Sequence, residues 1–134
     1  MNDSTKKTEQ EKMVQAGLIS AEDTLIDGVR VNCIEGPLGL FAAQGWWAYF
    51  TSEKLVLFMG AILGYGKFSK KGIVIPYKNI KEIKNCPYMI FMSGITINYE
   101  DPETGALATE KIYIGPGGGK WKSFLEEKAG VRPA

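Results

Sequence analysis

The chain is 134 residues long, 45% hydrophobic and of formal net charge +1; that is the length of one domain, with no overall field to attract nucleic acid or an acidic partner. It contains no histidine, which removes Ser-His and Cys-His nucleophiles, imidazole acid-base catalysis and every zinc site built on imidazole. The two cysteines, Cys33 and Cys86, lack CxxC spacing and read as reduced thiols on buried strands, with a disulfide as the alternative.

Residues 1–23 form a polar, charged lead-in arm. Its opening, "MNDSTKKTEQEKMVQ", has no apolar stretch of the kind a secretory signal needs, so a cytoplasmic protein is expected. Through "EQEKMVQAGLI" a weak helical pattern puts Met13, Ala16 and Ile19 on one face. Ser20 and Asp23 have the spacing of a capping box, which predicts a short second helical turn.

From Val29 the period changes to two, with Val29, Val31 and Cys33 alternating against Arg30, Asn32 and Ile34 until "EGPLG" breaks the strand. In "WWAYF" and "KLVLF" every residue but Ala48 and Lys54 is aromatic, branched or aliphatic, and "TSEK" lies near the join. This predicts a hairpin of Trp46–Phe50 with Leu55–Met59, turning at Thr51–Lys54 and burying one of Trp46 and Trp47. The apolar run Leu55–Gly66 is shorter than the roughly 20 residues a membrane-spanning helix needs.

"GIVIP" predicts another strand, and "NIKEIKN" sends Ile80 and Ile83 inward and Lys78, Lys81 and Lys84 outward. "YMIFM" and "GITINYE" read as two strands parted by Ser93-Gly94. "ITINYE" and "LATEKIYI" then flank a turn at Asp101–Gly105, with proline early and glycine late. In "KWKSFLEEKAG", Trp121, Phe124 and Leu125 fall at helical spacing with charges opposite, and Gly130 is the stop signal. Short strands followed by one amphipathic helix predict a mainly β chain: a small barrel of about seven antiparallel strands closed by that helix.

This plan, and two local stretches, resemble the pleckstrin-homology (PH) superfold, in particular bacterial PH and GRAM domains. "GWWAYFTSEKLVLF" is similar to their glycine-to-phenylalanine hairpin through Gly45, Thr51, Leu55 and Phe58. "IVIPYKNIKEIK" is similar to their Ile-Pro segment through Ile75, Pro76, Ile80 and Ile83. The resemblance implies a strongly bent barrel over residues 24–130, with 131–134 as a tail, and a binding module rather than an enzyme. Phosphoinositide-binding PH domains carry basic residues in the first hairpin loop. The corresponding stretch here, "EGPLGLFAAQG", has none.

"GPGGGK" fails the Walker pattern, since Ile114 stands at the first position and Trp121 follows Lys120; the glycines read as a turn into the helix, or else as an anion site at its N-terminus. "WWAYF" contains no basic residue, so base stacking gives way to core packing and no nucleic-acid partner is expected. Carboxylates such as Glu9, Asp23, Glu100, Asp101 and Glu126 fall in the arm, a turn or the outer helix face. No catalytic residue, metal ligand or cofactor site is therefore expected.

"MGAILGYGKFSKKG" (59–72) carries Ile62, Leu63, Tyr65 and Phe68 together with Lys67, Lys70 and Lys71 where a loop is expected. Three readings stand. The segment extends the core; or it meets a protein partner, first of all a second copy of the chain; or it touches an anionic membrane surface, such as the inner face of the cell membrane. A carrier of a small apolar ligand is a further alternative, opposed by the large aromatics that would fill a small barrel.

Overall fold

The computed structural model describes residues 2–35, 43–59, 73–88 and 92–132. In chain order they form helix α1 (Asp3–Gln15), strands β1 (Leu25–Glu35), β2 (Ala43–Thr51), β3 (Lys54–Met59), β4 (Ile73–Pro76), β5 (Ile80–Tyr88), β6 (Met92–Glu100) and β7 (Leu107–Tyr113), and helix α2 (Gly118–Ala129). The strands make one seven-stranded sheet in the order β4-β3-β2-β1-β7-β6-β5. Antiparallel strands followed by a C-terminal helix are what the sequence predicts.

The chain divides into two compact units. One holds α1, β1 as far as Arg30, β2 from Gly45, β3 and β4 as far as Val74; the other holds the rest of β1, the first two residues of β2 and the end of β4 with β5, β6, β7 and α2.

In the first unit the aromatic stretch is a hairpin in the expected register, from Trp46 opposite Met59 to Phe50 opposite Leu55. Trp46 is buried and Trp47 only half-buried, as strand alternation requires. Both faces of the hairpin are covered, which accounts for its nearly continuous apolar run. Trp46, Ala48, Phe50, Leu55 and Leu57 are buried on one face. On the other, Tyr49, Val56 and Phe58 pack with Met13, Leu18, Ile19 and Leu25, and Ala16, Trp47 and Val74 adjoin them. The N-terminal stretch is thus a packed helix and its following turn, seated on the outer face of the hairpin.

Ser20 and Asp23 do not cap a second helix. The Asp23 N–H donates to the Ser20 carbonyl at 3.1 Å to close a turn. The Asp23 side chain instead reaches the β2–β3 turn. Its Oδ2 accepts from Thr51 Oγ1 at 2.8 Å, and its Oδ1 accepts from Ser52 Oγ at 2.5 Å and from the Thr24 N–H at 2.8 Å. Thr51 Oγ1 also accepts the Lys54 N–H at 2.9 Å. A carboxylate only 1% exposed thereby ties the tip of the hairpin to the start of β1. Asp23→Ala removes three hydrogen bonds, although Thr51 Oγ1 keeps the Lys54 carbonyl at 3.0 Å and the Thr24 N–H keeps Ser52 Oγ at 3.3 Å, and should cost about 1–2 kcal/mol. Asp23→Asn should cost less, and urea unfolding of the two variants checks the order.

In the second unit β5 pairs with β6 and β6 with β7. Ile80 and Ile83 are both buried although three residues apart, because a register shift between Ile80 and Glu82 inserts a bulge. Ser93 and Gly94 do not separate two strands. They pair with Pro87 and Cys86 inside the β5–β6 ladder, so the sequence reading of a turn there is corrected; Ile90 and Phe91 lie outside the described residues. On the outer face a polar ladder crosses three strands. Thr109 donates to Asn98 Oδ1 at 2.7 Å, and Asn98 Nδ2 donates to Glu82 Oε1 at 2.9 Å. The Asp101 side chain accepts the Glu103 N–H at 2.8 Å and so shapes the turn before β7. Cys86 is a free, buried thiol.

Gly115, at φ +86°, turns the chain out of β7, a conformation that favours glycine. Gly130, at φ +69°, ends α2 in the left-handed region. The helix packs on Tyr77–Asn79, β5 and β6. Trp121 and Leu125 are buried, and the Phe124 ring meets Trp121 and Tyr77 edge-on at centroid distances of 5.2 and 5.9 Å.

Candidate functional site

The segment singled out in the sequence, with Ile62, Leu63, Tyr65, Phe68, Lys67, Lys70 and Lys71, lies outside the described residues, as do residues 36–42 of the loop before the hairpin. The positions on either side of it are described. β3 ends at Met59, β4 begins at Ile73, and the two are neighbours in the sheet. Adjacent antiparallel strands can be joined by about two to five residues, so the fold does not require a connection of this length.

The described surface offers little apolar area. Leu107 and Met92 are the large hydrophobics exposed there. They stand opposite Glu100 and Tyr88, at the two ends of β6, and form no joint patch. Lys78, Lys81 and Lys84 are exposed as expected. Lys81 pairs with Glu100 at 3.7 Å and Lys84 with Glu82 at 3.4 Å, so they belong to a solvated, charge-balanced face.

Several carboxylates are placed differently from the sequence reading. Glu9, Asp23 and Glu126, expected in solvent, are at most 7% exposed. Glu126 lies on α2 one turn beyond Lys122, whose Nζ donates to it at 2.9 Å. Glu9 sits under α1, with Lys12 Nζ at 3.7 Å from its Oε1. Helical periodicity of apolar residues carried no sign of either, because burial here follows from what each helix is laid against.

Glu110 was missed altogether. It points inward from β7 beside the buried Ile112 and opposite Ile97, and it accepts a hydrogen bond of 2.9 Å from the Tyr99 hydroxyl. Burial pushes its carboxyl up to about 7, against a smaller lowering by the Tyr99 hydrogen bond. The Tyr99 hydroxyl is raised by its own burial and then by Glu110. A signal did exist in the sequence: in "LATEKIY" Glu110 shares its alternation parity with Ile112, the core residue. A neutral carboxyl donor beside a phenol could serve proton transfer, but both side chains are enclosed, at 2% and 3% exposure. This arrangement fits a structural hydrogen bond better than contact with a substrate. Among the described residues no cluster of three metal-ligating side chains forms, and no helix is long and apolar enough to cross a membrane.

No protein-family model matches the sequence, and neither does any curated protein. Solved structures do match. The Vps36 N-terminal PH domain is 10% identical, with 84% of this chain and 83% of that one covered and a TM-score of 0.58. The hSac2 domain from human phosphoinositide phosphatase Sac2 is 10% identical, covering 100% of this chain and 89% of that one at a TM-score of 0.53. A pleckstrin homology domain from Shewanella amazonensis SB2B is 15% identical over 92% of this chain and 96% of that one, at a TM-score of 0.48. With its strand order and C-terminal helix, the chain has a PH-like, mainly β fold.

Proposed function

We propose that the chain is a non-catalytic, GRAM-like binding module of the cytoplasm, which acts by protein–protein contact and first of all by associating with itself. Residues 24–130 are the module in this reading, with residues 1–23 before it and 131–134 as a tail. The observation that carries it is the long apolar and basic connection between two neighbouring strands. Ile62, Leu63, Tyr65 and Phe68 exceed what the surface of a monomer ordinarily exposes in one place. A symmetric oligomer would cover them without a second kind of protein. The large side chains buried on the hairpin face away from α1, Trp46 and Phe50, leave the apolar-ligand carrier as the weaker reading.

Lys67, Lys70 and Lys71 favour a second reading, contact with an anionic membrane surface, to which each lysine would contribute about 1 kcal/mol. The double variant Ile62→Ser, Leu63→Ser separates the two. Self-association predicts that the native mass falls toward monomer while the circular dichroism stays that of the wild type. An unchanged mass, with binding to phosphatidylserine vesicles that is lost on replacing the three lysines by glutamate, would favour the membrane. A double variant that unfolds would make the segment part of the core and overturn both.

A further inference from the structure

Helix α1 is a poor match for the apolar seat it occupies. Of its residues only Met13 and Glu9 are buried, and the apolar packing is completed by Leu18 and Ile19 beyond its end. The helix is held at that end by its following turn, where the Leu18 N–H donates to the Met13 carbonyl at 3.0 Å and the Gln10 side chain accepts the Leu25 N–H at 2.9 Å. Under its middle lies the Glu9 carboxylate, 0% exposed, with no hydrogen-bond partner for either oxygen among the described residues.

A buried charge without hydrogen bonds is among the most costly groups a fold can enclose. Lys12, on the same helix, forms an ion pair with Glu9 at 3.7 Å, longer than a hydrogen bond, and offsets only part of that cost. From β2 the facing titratable group is Tyr49, whose hydroxyl is raised by burial and then by the Glu9 charge. The other strands bring Leu25, Val56 and Phe58 to this cluster, and the Arg30 guanidinium of β1 lies over its Trp47 ring, 5.7 Å from the centroid. Burial raises the Glu9 carboxyl, and Lys12 lowers it by less.

We infer that α1 is a displaceable cover, which lifts from the outer face of the β2–β3 hairpin well before the protein unfolds and is driven off by the buried Glu9 carboxylate. Lifting returns Glu9 to water and uncovers Trp47, Tyr49, Val56 and Phe58. Because the docked state favours protonated Glu9, docking is strongest below the ordinary carboxylate pKa and weakens as pH rises through the raised one. The cover therefore loosens as pH rises through the raised Glu9 carboxyl and loosens no further above it.

Native-state hydrogen exchange on the full chain tests this, with each amide corrected for its intrinsic rate. In the wild type at neutral pH, amides of α1 should be protected at least about tenfold less than those of β2 and β3, as for a locally opening element. Glu9→Gln should raise α1 protection above that of the wild type, leave the hairpin unchanged and abolish the pH dependence of α1. Met13→Ala should lower α1 protection and again spare the hairpin. Equal protection of α1 and the hairpin in the wild type, or a Glu9→Gln effect shared equally by both, would overturn the inference.

Discussion

Trp121→Ala should lower the stability of the protein by about 3–5 kcal/mol, as removal of a large buried aromatic does elsewhere. The indole is 5% exposed, holds the edge-on contact with Phe124 at 5.2 Å and lies under Lys120, whose Nζ is 4.9 Å from the ring centroid. The loss therefore combines apolar burial, an aromatic pair and a partly exposed cation–π contact, the last being the smallest. Leu125, fully buried one turn further on, should keep the helix formed, so far-ultraviolet dichroism changes little while the urea midpoint falls. A loss below about 1 kcal/mol would mean that α2 adds little to the unit it packs on.

A second large effect should appear on titration. Glu110 is held near 7 in the fold and returns to an ordinary carboxyl when unfolded. The folded state therefore binds the proton more tightly, and stability falls as pH rises from about 4.5 through 7, then levels off. The full drop is on the order of 3 kcal/mol. Glu110→Gln keeps a neutral group of the same shape that can accept from the Tyr99 hydroxyl. The difference between wild type and variant should thus be small at pH 4 and grow to favour the variant at pH 8. Parallel curves across that range would show that Glu110 ionises in the fold as freely as in water.

The hairpin, the last turn and the C-terminal helix were legible because each rests on local chemistry. Alternation set the opposite sides of Trp46 and Trp47, Asp101 and Gly105 marked a turn, and Trp121, Phe124 and Leu125 marked a stripe. Three features were not legible, and each depends on a partner distant in sequence. Asp23 serves a turn formed by Thr51 and Ser52. Ile80 and Ile83 share the core through a bulge that alternation cannot express. The seat of α1 is supplied by β2 and β3, so its sparse apolar residues gave a weak pattern for a helix that is nonetheless packed. Glu110 differs from these, since its parity with Ile112 is a local signal, masked only by the general preference of carboxylates for water.

Whether residues 59–72 form a contact surface can be read from hydrogen exchange of that segment at increasing protein concentration. Self-association predicts that amides around Ile62, Leu63, Tyr65 and Phe68 become protected as concentration rises, in step with an increase in native mass, while β6 and β7 stay unchanged. Exchange in this segment that is the same at every concentration, and unaltered by phosphatidylserine vesicles, would contradict the account.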